Sequence, residues 1–309
     1  MRALLWVLLV AVSACSQEVT EISAVRRGDI AFAQGNFEEA LAEYRLAMRQ
    51  GAEDPLVTAR VAHTYAVMNR VDDAGTYYVE AVARDEDLTD QAVSDLMHMA
   101  MDAAARDDRF AMATAVQTAM RLRPAVGVGD LTLPLARHYF QNGEHGRALP
   151  FYQKALAEAS DSAPDVVFEV GQAHAEIGDC EHALLFFERF RQMVRAGQRG
   201  EVDWHIGTCA FDVARELRSA SAEGPELERA LRLIERAIEV REPRNIQAQA
   251  WFEKGEILAE MGECEAAMEA YSQVRYADQA GSMVDRAQAA FDEIRFGRGL
   301  EHLRDGRCR

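Results

Sequence analysis

Residues 28–47 read GDIAFAQGNFEEALAEYRLA, and residues 62–81 read AHTYAVMNRVDDAGTYYVEA. Set 34 positions apart, Gly28 meets Ala62, Gly35 meets Asn69, Phe37 meets Val71, Ala40 meets Ala74, Tyr44 meets Tyr78 and Ala47 meets Ala81. Residue size agrees at each of these positions. In the first copy Ala40, Leu41, Tyr44, Ala47 and Met48 are spaced as one face of a helix. Self-similarity at such a period marks a chain assembled from supersecondary units that share a core with their neighbours.

Further copies follow. Ala136, Tyr139, Gly143, Ala148, Tyr152 and Ala155 make one; Gly171, Gly178, Ala183, Phe187 and Phe190 make another; Gly255, Leu258, Gly262, Ala267 and Tyr271 a third. A degenerate copy runs from Ser94 to Leu122 around Phe110, Ala113 and Met120. One more begins at Trp204 and Gly207 and resumes at Ala230, Ile234 and Ala237, with an insertion of about eleven residues around Arg218 to Glu226 between its halves. Pro55 after Asp54 and Pro225 after Gly224 suit first helical positions. Asp130 is placed to cap the helix that holds Pro134 in its first turn. Met283, Val284, Ala287, Ala290, Phe291 and Ile294 form a single apolar stripe, as a terminal cap helix requires.

These residues resemble the tetratricopeptide repeat family, in which two antiparallel helices cross at small side chains and an aromatic fills the space between them. The resemblance implies an all-α, right-handed superhelical solenoid of about seven helix-turn-helix repeats plus a cap helix over residues 21–296. A repeat fold of this kind does not by itself specify a function.

Composition agrees and narrows the classes. The chain has 309 residues, 49% of them hydrophobic, with only 20 Gly and 7 Pro, which suits a helical protein with a real core. Lys and Arg number 34 against 51 Asp and Glu, a net charge of -17. Such a chain is a poor ligand for nucleic acid, which needs neutralising cations. No Walker A loop, GxSxG or HExxH is present, no two of the dispersed His stand at i, i+4, and no CxxC occurs. Paired acids such as Asp72-Asp73 and Asp107-Asp108 fall at turns between helices. The expectation is therefore a protein with no catalytic residue, no metal, no small-molecule substrate and no nucleic-acid partner.

The N-terminus reads as an address. Arg2 precedes the apolar run Ala3 to Val12, too short to span a bilayer, so residues 1–14 are expected to be a secretory signal peptide. Val12-Ser13-Ala14-Cys15 resembles the bacterial lipobox, which implies a covalent diacylglycerol and a fatty acyl chain on Cys15. The alternative is ordinary cleavage after Ala14. Ser16 in place of Asp implies, by the same resemblance, the periplasmic face of the outer membrane. Residues 15–20 would be a lipidated linker, and 297–309 an Arg-rich tail with Arg298, Arg304, Arg307 and Arg309.

Export implies an oxidising compartment. Cys180 and Cys264 occupy the same repeat position, at the start of a second helix. Cys209 stands on the first helix of the following repeat, and Cys308 lies beyond the cap helix. The pairs Cys180–Cys209 and Cys264–Cys308 are expected, with four free thiols as the alternative.

In the family the first helix of each repeat lines a groove for a peptide or partner helix. Carried onto this chain, the groove positions are His63, then His98 and Asp102, then Arg137 and Phe140, Phe168 and Gln172, Trp204, Thr208 and Phe211, Phe252 and Glu256. Aromatics are the usual anchors of an interface; the alternative is that they pack between helices. The resemblance implies a membrane-tethered scaffold for a protein partner in an envelope assembly of the β-barrel insertion, pilus or secretion type. The alternative function is regulation of peptidoglycan synthases or hydrolases by direct contact.

Overall fold

The computed structural model describes residues 24–158, 163–220, 224–278, 281, 283–297 and 308. The signal peptide, Cys15, the linker and the tail arginines Arg298, Arg304, Arg307 and Arg309 lie outside the described residues. The described chain is helical and contains no strand. In order the helices are α1 (24–33), α2 (Phe37–Arg49), α3 (Pro55–Val67), α4 (Val71–Arg84), α5 (Thr89–Ala105), α6 (Arg109–Leu122) and α7 (Thr132–Gln141). There follow α8 (His145–Glu158), α9 (Pro164–Glu176), α10 (Cys180–Met193), α11 (Gly200–Ala220), α12 (Gly224–Val240), α13 (Gln247–Glu260), α14 (Cys264–Ala277) and α15 (Val284–Phe296).

The chain forms two compact units, one running up to Gln141 and the other from Asn142. The division falls inside the fourth sequence repeat. Within each unit, helices pack on their sequence neighbours, and first helices also touch first helices of the next pair, as α3 does α5 and α11 does α13. This is the nearest-neighbour packing of an all-α repeat solenoid.

The small-to-aromatic spacing explains the pairs. A Cβ added to Gly28 would lie 2.6 Å from the Tyr44 ring; on Gly171, 2.7 Å from Phe187; on Gly255, 2.5 Å from Tyr271. Each glycine sits on a first helix and each ring on a second, sixteen residues on. Phe187 is fully buried and Tyr44 and Tyr271 are each 2% exposed. Burying a ring of this size contributes about 1.5–3 kcal/mol. The turn inside the pair needs a left-handed residue: Gly35, Asn69, Asp107, Gly143, Gly178 and Gly262 all have φ between 56° and 82°. Gly and Asn take that conformation at least cost.

Helix starts follow local chemistry. The Asp54 carboxylate accepts from Leu56 N at 2.9 Å with Pro55 in the first position. Asp108 accepts from Ala111 N at 3.0 Å at the head of α6. Asp130 lies inside a 3-10 turn, Gly129–Leu131, that leads into α7, and Thr132 Oγ1 closes that turn by donating to Gly129 O at 2.6 Å. Pro150 stands inside α8, where it removes one helical N–H bond.

The degenerate third repeat is a complete pair. Ala92, Leu96, Met99 and Ala103 of α5 and Met112, Ala115, Val116 and Ala119 of α6 are buried. The insertion near Arg218 lengthens the sixth pair: α11 has 21 residues and α12 has 17. In that pair the close approach is to backbone. A Cβ on Gly207 would overlap the carbonyl oxygen of Glu242, which follows α12.

Gly207→Ala is therefore expected to destabilise the second unit by about 1–3 kcal/mol, since a backbone carbonyl cannot move aside as a side chain can. Gly146→Ala, in α8 with open space around its Cβ position, should be neutral or stabilise by up to about 1 kcal/mol. Urea unfolding of the two variants beside the parent protein checks both signs.

Candidate functional site

In the first unit, the exposed face of α3 and α5 carries the groove residues His63, His98 and Asp102. They line a recess of about 390 Å³ together with Asn69, Asp95 and Met99. His63 Nδ1 lies 2.7 Å from Asp95 Oδ2, and the Tyr78 hydroxyl donates to that same oxygen. The bond to Asp95 raises the His63 pKa, and burial with the same bond raises that of the Tyr78 phenol. His98 faces Asp102 at 3.4 Å. The recess thus offers imidazoles and carboxylates, with no hydroxyl or thiol placed as a nucleophile among its lining residues. On α7, Arg137 is exposed and Phe140 is half-buried.

In the second unit the proposed groove residues separate into two sets. Phe211 (5% exposed) and Phe252 (6%) belong to the core. Phe252 packs on Tyr271 with ring centroids 5.5 Å apart and is covered by the Arg286 guanidinium at 4.7 Å. Phe168 bridges helices, with centroids 4.8 Å from Phe190 and 5.5 Å from His205. Trp204 is the exposed aromatic of the set, 47% accessible on α11. Thr208, one turn on, donates its hydroxyl to Trp204 O at 2.9 Å. Gln172 is half-buried on α9.

Glu256 has structural work. It accepts from the Tyr271 hydroxyl at 2.7 Å and lies 3.5 Å from Arg218. Arg218, on the extended end of α11, also meets Glu253 and Glu260 at 3.0 Å each. Burial pushes the Glu253 carboxyl pKa up, against the pull of Arg218 and Arg215.

Two disulfides join the second unit. Cys180–Cys209 ties the first residue of α10 to α11, with Cα atoms 5.0 Å apart; Cys264–Cys308 ties the first residue of α14 to the tail, with Cα atoms 5.3 Å apart. Beside the first of them is a cluster that sequence reasoning missed. His174 Nδ1 lies 3.0 Å from Asp179 Oδ2, and His182 Nδ1 lies 2.9 Å from Asp179 Oδ1. The signal available was an Asp at a helix start with a His three residues after and another five before.

A tetratricopeptide repeat family pattern matches residues 22–55, 133–197 and 226–282, just over half of the chain. The chain belongs to the tetratricopeptide repeat family. No curated protein matches it. Among solved structures it is similar to the C-terminal part of a tetratricopeptide repeat protein from Cytophaga hutchinsonii, at 16% identity over 85% of this chain and 98% of that one, TM-score 0.36. It is also similar to YrrB, described as having an unusual peptide-binding site, at 17% identity over 80% and 97%, TM-score 0.33. The TPR2AB domain of yeast Sti1, in complex with pHSP90, matches at 14% identity over 89% of this chain and 98% of that one, TM-score 0.31. Such likenesses concern the repeat fold and not the ligand.

Two imidazoles of this repeat protein titrate in opposite senses. Burial among Phe187, Phe168 and Trp204 lowers the His205 pKa. The unfolded chain then binds the proton more readily, so the second unit loses stability as pH falls below about 6.5 toward the depressed value. The His63 pKa is raised by Asp95, so its contribution is full below about 6.5 and is lost as pH rises through the elevated value. Urea midpoints between pH 5 and 8 should show a shallower acid-side loss in His205→Phe. In His63→Gln the decline on the alkaline side should shrink.

Proposed function

We propose that this protein is a non-enzymatic scaffold on the periplasmic face of the outer membrane, held by lipid on Cys15. Its partner is a protein or peptide of an envelope assembly concerned with β-barrel insertion, a pilus or secretion. Tetratricopeptide repeat proteins generally mediate protein–protein interaction. The observation that carries the reading of the site is Trp204: among the groove aromatics Phe140, Phe168, Trp204, Phe211 and Phe252 it is the one left exposed, at 47%, on a first helix. Exposed aromatics beside polar residues are the usual anchors of interfaces. Asp212 and Glu216 lie further along the same helix, and the acidic surroundings favour a neutral or basic segment. The two disulfides support an oxidising compartment, and the leader sequence supports export with lipid attachment. No helix among the described residues is long and apolar enough to cross a membrane.

The test is a pull-down from detergent-solubilised envelopes with the mature protein and its Trp204→Ala variant. Because Trp204 is half-exposed, the variant should keep its fold and lose the partner. Recovery of a barrel or secretin component supports the assembly reading; recovery of a murein synthase or hydrolase replaces it with regulation of the cell wall. Equal recovery by both baits removes Trp204 from the site. Labelled palmitate should enter the parent protein and not Cys15→Ser.

A further inference from the structure

We propose that His174, Asp179 and His182 bind a divalent transition-metal cation of the zinc class. Donor atoms, one from each residue (an imidazole nitrogen from either histidine and a carboxylate oxygen from Asp179), lie within 4.8 Å of one another. Each imidazole nitrogen faces a different oxygen of one carboxylate, at 3.0 Å and 2.9 Å, and the two rings stack with centroids 5.4 Å apart. Zinc takes nitrogen and oxygen ligands at about 2.0–2.2 Å, which puts neighbouring ligands of a tetrahedron a little over 3 Å apart. The two nitrogen–oxygen spacings are near that and the set is within 4.8 Å, so side-chain rotations that draw the two nitrogens together admit the ion.

The residue types are peculiar to this repeat. At the His174 position the other well-formed copies carry Ala31, Tyr65, Tyr139 and Leu258. At the His182 position they carry Glu39, Asp73, Arg147 and Ala266. His174 is 6% exposed, a polar ring where the repeat otherwise packs an apolar or aromatic one. Asp179 alone could cap α10, as Asp108 caps α6 without any histidine. The cap therefore explains Asp179 and leaves the two converging imidazoles unexplained. Without a cation each Nδ1–H donates to Asp179; with one, both protons sit on Nε2 and the Nδ1 lone pairs face the metal. His182 is 62% exposed on its side chain, which leaves the remaining coordination positions open to water. Cys180 is adjacent but committed to its disulfide with Cys209. A cation here ties the end of α9 to the start of α10, and the disulfide continues the tie to α11.

Equilibrium dialysis of the purified, oxidised full chain against zinc chloride tests this, with metal content read by atomic emission. The expected result is one zinc per chain, with affinity at least tenfold weaker in His182→Ala and in Asp179→Asn and unchanged in His98→Ala. His182 is exposed, so its variant folds, and circular dichroism checks this. Zinc in hundredfold excess over its Kd should also raise the Tm of the parent by several degrees and leave His182→Ala unmoved. No uptake by the parent at about 0.1 mM zinc overturns the proposal. Equal uptake by His182→Ala does the same.

Discussion

In the first, fifth and seventh pairs the closeness of the two helices depends on a single allowance: the first helix offers no side chain where the second offers a ring. Gly28 against Tyr44, Gly171 against Phe187 and Gly255 against Tyr271 each leave no room for a Cβ without displacing the aromatic. The ring then occupies the volume that a side chain on the first helix would have filled, and dense packing follows from steric fit. A tyrosine in that place must also satisfy its hydroxyl. Tyr44 donates to Asp29 and Tyr271 to Glu256, each carboxylate one residue after the glycine, and Tyr78 donates to Asp95 on the next first helix. Carboxylates on the outward face of the first helices are thereby drawn into holding the pair together. That limits how many of them are free to meet a partner.

The sixth pair departs from this rule and shows what replaces it. Gly207 accommodates the Glu242 carbonyl instead of a ring. The extra length of α11 carries Arg218 onto Glu253, Glu256 and Glu260 of α13. One guanidinium serving three carboxylates relieves repulsion that the strongly acidic composition would otherwise concentrate there. The insertion between the halves of this repeat is thus helix on both sides of residues 221–223, and it brings Arg218 to the carboxylates of α13.

Legibility in the sequence followed the range of the interactions. The repeat, its register and its left-handed turn residues were readable because each depends on residue size or φ at fixed spacing within one pair. The cysteine positions were readable because Cys180 and Cys264 recur at the same place in two repeats. The fate of the groove aromatics was not. Phe168, Trp204, Phe211 and Phe252 share a residue class and a helix type, yet exposure runs from Trp204 at 47% to Phe211 at 5%. What separates them is the neighbours contributed by α10, α14 and α15, such as Phe190 on Phe168 and Tyr271 and Arg286 over Phe252. The network of His63, Tyr78 and Asp95 joins two repeats, and a search for spacings inside one helix does not meet it.

The distribution of covalent ties follows from the same geometry. The first residue of a second helix lies at the turn, where the pair is nearest the element that comes after it. Cys180 at that position reaches α11, and Cys264 at that position reaches Cys308, which is 6% exposed and packs in the terminal cluster with Tyr271, Ala287 and Ala290. A stack of repeats leaves an apolar face at its end that must be covered. Here α15 covers part of it with Ala287 and Ala290, and Cys308 brings one more buried residue to the same cluster. The disulfide holds that covering piece by closing a separation of 44 residues, which restricts the unfolded chain more than the 29 between Cys180 and Cys209. Reduction should therefore loosen the C-terminal end of the second unit first, by releasing Cys308 from the cluster that α15 otherwise covers.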